Sequence, residues 1–218
     1  MGSISFSNVS IVVAAEHHNP TILHPSFLQT EGIVPGDWKV LEDLICTPAF
    51  SSVSYANGIA FRVERNKLQI VDGDPDGDGT NSRIAGLAAH YVEKLPHVRY
   101  KAVGVNFVTF SDCENSDEYM VARFLRPGTW NDDELTPISM GVQLAYQITD
   151  ATLNLSLKPG RSSKQGEEPA RVGIVLEGNC HRDTQSTEEV LTSINGFKQK
   201  LKDARAICAR VLGAAGDE

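Results

Sequence analysis

The sequence predicts an α+β protein in which two long helices cover a largely antiparallel sheet. Two regions, which begin at residues 53 and 138, alternate apolar and polar side chains as half-buried strands do. Each region leads into a segment whose apolar residues recur at helical spacing. The pattern Pro-Gly-x-Trp, with Thr-Pro further on, also occurs twice, from residues 35 and 127. Together these features indicate a duplicated β-α-β-β-β-α unit.

The first half begins with a strand and an irregular segment. Residues 3–15 are rich in Ile, Val and Phe and predict the strand. Prolines at 20, 25 and 35 then prevent long regular structure. They leave room for a short helix near residues 26–30.

Two turn sites divide the alternating region that follows into three strands. Asn57-Gly58 is a pair preferred in two-residue hairpin loops and predicts a positive φ at the glycine. Residues 65–67 form a second polar turn, so we predict a three-stranded antiparallel meander. A helix then begins near Ser82, which can cap it, and ends before Pro96. Its apolar face consists of Ile84, Leu87, Ala88, Tyr91, Val92 and Leu95.

The second half repeats this order of elements. Residues 98–110 are apolar on both faces and predict a central strand, and residues 116–125 predict a short helix. A second meander follows, in which a polar loop over residues 158–170 precedes the last strand. Ser186 and Glu189 form a capping box that opens a long last helix. The apolar face of this helix consists of Val190, Ile194, Phe197, Leu201, Ala204, Cys208 and Val211.

The matching order of elements predicts one globular unit made of two fused repeats. We place the repeats at residues 1–97 and 98–218, because Trp38 and Trp130 stand 92 residues apart and the first strands are offset similarly. Both tryptophans are expected to anchor the core at the start of their meanders, since a large ring buries much apolar area.

The composition excludes several classes of partner. Lys and Arg total 20 against 28 Asp and Glu, and a net charge of −8 repels phosphate backbones, so no nucleic acid is expected. No apolar run approaches the roughly 18 residues of a membrane helix, and no signal peptide or membrane contact is predicted. The four cysteines form no disulfide framework, which predicts a cytoplasmic protein.

The basic residues of the last helix predict a solvated face; they are Lys198, Lys200, Lys202, Arg205 and Arg210.

An acidic loop over residues 72–83, DGDPDGDGTNSR, is the sharpest local motif in the sequence. Alternate carboxylates in a tight turn suit Ca²⁺. The candidate ligands are Asp72, Asp74, Asp76 and Asp78. In the two possible registers the twelfth position holds Arg83 or Ala85 instead of the required Glu, so the loop predicts at most weak calcium binding. The same residues also suit a plain turn before a helix.

Two further groups invite a chemical interpretation. Glu16 with His17, His18 and His24 could hold a transition metal, although a solvated loop is the favoured interpretation. Cys180 is followed by His181, but neighbours on a strand face opposite sides and would not form a nucleophile pair. No catalytic residue is therefore assigned.

No Walker, dinucleotide-binding or serine-nucleophile motif occurs in the sequence. We therefore predict a non-catalytic binding or assembly protein that acts through a protein–protein contact surface, with another protein or a second copy as partner. The contact would be a sheet edge or the open face of the sheet. The expected open-face residues are Ser52, Ser54, Arg62, Glu64, Ser139, Gly141, Gln143, Ala145 and Gln147. The alternative is a small metal-dependent enzyme whose residues converge from the two halves.

Overall fold

The computed structural model describes residues 4–130, 136–162 and 171–213. The strands formed by these residues are β1 (Phe6–Ala15), β2 (Ile45–Cys46), β3 (Phe50–Ser54), β4 (Ile59–Glu64), β5 (Lys67–Asp72), β6 (Tyr100–Asp112), β7 (Val142–Ile148), β8 (Ala151–Ser162) and β9 (Arg171–Asp183). They form one sheet in the order β2-β3-β4-β5-β1-β6-β9-β8-β7. Every pair of neighbours is antiparallel, so the predicted sheet type is confirmed.

The helices cover one face of this sheet. They are α1 (Pro25–Thr30), α2 (Ile84–Lys94), α3 (Ser116–Phe124), α4 (Thr187–Asn195) and α5 (Phe197–Val211). Helix α2 packs on β1 and β5, α4 on β6, and α5 on β6 and β9. Ile11 and Val105 at the centre of the sheet are fully buried in one cluster with Leu201 of α5. The mixed α+β class is therefore confirmed, and the core lies between the sheet and the helices.

The strand order is the same in both halves of the sheet. The first strand of each half pairs with the last strand of the following meander: β1 pairs with β5, and β6 with β9. The two halves join where β1 pairs with β6 in the middle of the sheet. Strand β6, which is 13 residues long, has a neighbour on each side, and this confirms the central position predicted from its apolar character.

The predicted long last helix is divided into two. Helix α4 ends at Asn195, and α5 begins at Phe197. Gly196 between them has φ −72° and ψ 0°, and its N–H donates to the carbonyl oxygen of Thr192 at 3.1 Å. A Cβ atom at residue 196 would lie 2.8 Å from Nζ of Lys200, so a glycine here lets the lysine approach the end of α4. The expected capping bond is present, because Ser186 Oγ accepts the N–H of Glu189 at 3.2 Å.

The two tryptophans have different environments. Trp38 is half-buried and packs edge-on against Tyr55, with ring centroids 5.2 Å apart. Trp130 is 57% exposed, and its Nε1 donates to the carbonyl oxygen of Arg126 at 3.1 Å. Its ring lies over Gly128, where a Cβ atom would come within 2.6 Å of it. The expectation that both tryptophans anchor the core is therefore wrong for Trp130.

The hairpin between β3 and β4 contains the predicted glycine turn in a longer loop. Gly58 has φ +83°, as predicted. The N–H of Tyr55 donates to the carbonyl oxygen of Ile59 at 2.9 Å. The N–H of Gly58 donates to the carbonyl oxygen of Tyr55 at 3.1 Å. The loop between this pair therefore has three residues rather than the expected two, and its last residue is the glycine in the left-handed conformation.

We expect Gly58→Ala to lower the free energy of unfolding by about 1 kcal/mol, because a side chain resists a left-handed backbone. The nearest atom to a Cβ at residue 58 is 3.9 Å away, so the cost comes from the backbone and not from a clash. Gly36→Ala is the matched control, since Gly36 also has open space around it and lacks a positive φ. Equal denaturant midpoints for the two variants would contradict this explanation.

Candidate functional site

The acidic loop uses its first carboxylate to close on itself. Asp72 lies at the end of β5 and is only 7% exposed. Its Oδ2 accepts the hydroxyl of Ser82 at 2.6 Å, and its Oδ1 accepts the N–H of Asp74 at 3.2 Å. Ser82 thus holds the loop to β5, while the N-cap position of α2 is Arg83. These contacts are those of a turn that leads into a helix.

The last carboxylate of the loop is engaged in a similar way. Oδ1 of Asp78 accepts the hydroxyl of Thr80 at 2.7 Å and its N–H at 3.0 Å, and Oδ2 lies 3.5 Å from Arg205. The hydrogen bonds from Thr80 lower the pKa of Asp78. The side chains of Asp74 and Asp76 are exposed. Within the described residues, no three His, Cys, Asp or Glu side chains converge to hold a metal ion, and calcium binding stays a prediction.

The structure places the three histidines of the first loop in separate environments. His18 is buried, and its Nε2 lies 3.1 Å from the carbonyl oxygen of Val13. Burial lowers the pKa of His18. His24 accepts the N–H of Ser26 at 3.2 Å and so caps α1, while His17 is exposed. The three imidazoles therefore do not converge, and His18 and His24 make structural contacts.

Cys180 and His181 point to opposite sides of β9, as expected. Cys180 is fully buried in the core, and burial raises the pKa of its thiol to about 12. Burial therefore favours the protonated thiol over the thiolate that a nucleophile requires. His181 is exposed, and its Nε2 lies 3.1 Å from Oδ1 of Asp183.

A partly buried ion cluster, in which only Lys200 is fully buried, lies between the β7–β8 turn and the helices. Nζ of Lys200 contacts Oδ2 of Asp150 at 2.8 Å and the carbonyl oxygen of Ser193 at 2.9 Å. Arg182 of β9 reaches the same carboxylate oxygen at 3.0 Å. Burial opposes ionisation of Asp150, but the hydrogen bonds and charges of Lys200 and Arg182 outweigh it and lower the pKa of that carboxyl. The cluster therefore connects the β7–β8 turn with β9, α4 and α5.

The sequence pattern placed Lys200 on the solvated face of the last helix and so did not predict its role in the cluster. That assignment is wrong: Lys200 is 1% exposed. The signal was present in the spacing, since residue 200 lies three positions after Phe197 and four before Ala204, both of which are on the apolar face. A lone lysine on an apolar face indicates a buried ion pair.

Lys200→Met should lower the free energy of unfolding by roughly 2 kcal/mol, because it removes a buried charge partner from Asp150 and a donor from Ser193. The expected loss of free energy of unfolding is small for a buried ion pair, because Asp150 is 31% exposed and still pairs with Arg182. Lys198→Met, at an exposed position on the same helix, should change stability by less than about 0.5 kcal/mol. Chemical denaturation of the two variants checks this, and similar losses would show that the cluster does not stabilise the fold.

The open face of the second half of the sheet forms a cleft of about 630 Å³. Strands β6, β9, β8 and β7 form its floor. The polar side chains that line it are Asn106, Asn154, Asn179, Gln143, Ser156 and Glu177. Gly104 makes room for one of them, because a Cβ atom there would lie 2.9 Å from Nδ2 of Asn179.

A row of hydrogen bonds crosses the sheet beside the cleft. Asn179 donates to Oδ1 of Asn106, whose Nδ2 lies 3.4 Å from Oγ of Ser10. Gln69 of β5 reaches the same hydroxyl at 3.4 Å. Among the described residues that line the cleft, Glu177 alone carries a charge, and Lys158 pairs with it at 3.0 Å. Such a surface can bind through amide groups, and its one carboxylate is already engaged in an ion pair.

The edge formed by β7 is the other exposed feature of this half. Among the described residues, β7 pairs only with β8, so its outer side has no neighbouring strand. None of its seven residues, VQLAYQI, is charged. Gln143, Ala145 and Gln147 are exposed on the open face, as predicted. Val142, Leu144 and Tyr146 face the core side and are only half-buried.

The start of β7 corrects one sequence expectation. The alternating series from residue 138 was expected to be buried, but the strand begins at Val142 and Ile138 is 88% exposed. Ser139 and Gly141 are exposed and precede the strand. The apolar–polar alternation of the sequence begins before Val142, because a period-two pattern does not show where strand pairing begins.

The opposite edge of the sheet is shorter and is protected. Strand β2 has two residues, the N–H of Leu41 donates to the carbonyl oxygen of Ser54 at the end of β3 at 2.8 Å, and Val40 forms an isolated bridge with Tyr55 just beyond it. Glu42 and Asp43 precede β2, and Pro48 follows it. Charge, proline and short length are the usual protections of an edge strand. The exposed apolar residues at this edge are Leu41, Leu44 and Ile45.

Neither a scan against protein-family models nor a search of curated protein sequences finds a match to this chain. In the part of the chain that the structure describes, no helix is both long and apolar enough to cross a membrane.

Proposed function

We propose that the protein is a non-catalytic binding or assembly protein, and that its contact surface is the outer edge of β7 with the adjoining cleft. The observation that carries this proposal is the unprotected edge: seven uncharged residues whose outward backbone groups lack a strand partner among the described residues. A row of free N–H and C=O groups is a template for a further strand.

The contrast between the two edges supports this assignment. The β2 edge carries charge, a proline and a short strand, all of which discourage pairing with another chain. Strand β7 is longer and contains neither a charge nor a proline, and the flanking Asp150 is already paired with Lys200 and Arg182. An uncharged alternating strand of this length would promote aggregation if it stayed exposed in the cell. A dedicated partner that covers the edge removes that hazard.

Side chains on both faces of β7 add to the contact. On the core side, Val142, Leu144 and Tyr146 lie at the margin of the helix layer and keep part of their apolar surface in water. On the open side, Gln143 and Ala145 also line the cleft. A partner strand at this edge would therefore gain apolar burial on one face and amide contacts on the other.

We also infer that the two halves are repeats of one β-α-β-β-β-α unit, residues 1–97 and 98–218, and that the protein acts in the cytoplasm as an oligomer or a complex. The shared order β3-β4-β5-β1 and β7-β8-β9-β6 supports the duplication. In this comparison β3 corresponds to β7. Since β2 and the N–H of Leu41 pair with β3, the corresponding position beside β7 is where a partner would lie.

A photo-reactive amino acid at position 145 tests the contact in the cells that produce the protein. Ala145 is exposed at the middle of β7, so illumination should yield one specific adduct with a protein partner. Arg62 is the control position, because it is exposed on the open face of the other half, away from both edges. The mass of the adduct identifies the partner as this chain or another. Absence of a specific adduct from position 145 would contradict the proposed function.

A further inference from the structure

We propose that the partner at the β7 edge is a second copy of this chain, which pairs its own β7 antiparallel to the first about a two-fold axis at Ala145. The inference rests on the proposed function and names the partner. The two nine-stranded sheets of the described residues would then join into one continuous sheet. The helices of both copies would lie on the same side of it.

The sequence of β7 matches itself in this arrangement. A two-fold axis at Ala145 places Val142 opposite Ile148 and Leu144 opposite Tyr146 of the other copy. Directly opposite residues of an antiparallel pair point to the same face, so these apolar pairs extend the core side of the sheet. Gln143 then lies opposite Gln147 on the open side, where two carboxamides can bond to each other. All seven residues of the strand find a partner of the same character.

The charge distribution favours a second copy over a basic partner. Each chain carries a net charge of −8, so two copies repel each other at long range, and a contact free of charge adds no further repulsion. Residues 136–149, which include all of β7, contain no charged side chain. Asp150 beside the strand is already paired with Lys200 and Arg182. A basic partner would need acidic groups along this edge, and β7 supplies none.

The two-fold axis also joins the two open-face clefts. Gln143 and Ala145 belong to both the edge and the cleft wall, so the cleft of one copy would continue into that of the other. A seven-residue strand is only about 23 Å long, which limits the contact to less than a standard interface. We therefore expect a reversible dimer whose population depends on concentration over the micromolar range.

A pair of double variants tests both the partner and the register. In Gln143→Lys/Gln147→Lys, each lysine would face a lysine of the other copy, and repulsion should dissociate the dimer. In Gln143→Glu/Gln147→Lys, each glutamate would face a lysine, so the dimer should be retained. The two variants differ only at residue 143, and light scattering after size exclusion measures their mass. As the loading concentration rises, the mass of the native protein and of the Glu/Lys variant should approach twice the 23.7 kDa chain mass, while the Lys/Lys variant should keep the single-chain mass.

Disulfide formation gives an independent measure of the axis. In a Cys46→Ser/Cys113→Ser background, Ala145→Cys would face its own copy at a Cα separation of about 5 Å, which suits a disulfide. Mild oxidation should therefore link two chains. Asn154→Cys is the matched control: Asn154 is exposed and lies directly beside Ala145 on β8, one strand further from the axis in each copy. It should not form the link.

Each outcome decides the inference. A native protein that stays a single chain at all concentrations, or two double variants with the same mass, would overturn self-pairing through β7. If position 145 nevertheless cross-links to a different protein in cells, the proposed function stands and only the identity of the partner is wrong. If neither a dimer nor an adduct is found, both fall.

Discussion

The antiparallel pairing of β1 with β6 determines where every other element of the protein lies. Its register sets Val9, Ile11 and Val13 opposite Phe107, Val105 and Val103, all of which are buried. A shift of one residue would turn one of these rows to the open face, so the hydrophobic pattern of the two strands fixes the register strongly. Because this pairing gives both halves the same buried face, α2, α4 and α5 pack on one side. It also places the edge strands β2 and β7 at the two ends of the sheet.

The different protection of these two ends has a functional consequence. The chain surrounds its β2 edge with charge and proline, and it leaves β7 uncharged along its whole length. A protein that avoids aggregation can keep such a strand only where something covers it. The groups that the sequence singled out for chemistry have structural surroundings: burial raises the pKa of the Cys180 thiol, and the carboxylates of Asp72 and Asp78 accept local hydrogen bonds. We therefore propose the β7 edge as the surface through which the protein functions.

Local patterns predicted most of the secondary structure. Period-two alternation found the first meander, and helical spacing found α2 between Ser82 and Pro96. The same patterns did not predict the helix and strand ends that tertiary contacts determine. Gly196 ends α4 where the side chain of Lys200 needs space. Ile138 is exposed because it precedes Val142, where the pairing of β7 begins. The pattern around Trp130 resembles that around Trp38, but Trp38 has Tyr55 to pack against while Trp130 lies on Gly128.

Of the candidate site, the sequence predicted the open-face residues of β7 but not the unequal protection of the two edges, which depends on strand order.

The most direct measurement is amide hydrogen exchange of the native protein at low and high concentration. Self-pairing predicts that the outward-facing amides of β7 become protected as concentration rises, while those of Ile45 and Cys46 at the opposite edge do not change. Identical exchange of the β7 amides at both concentrations would contradict the account.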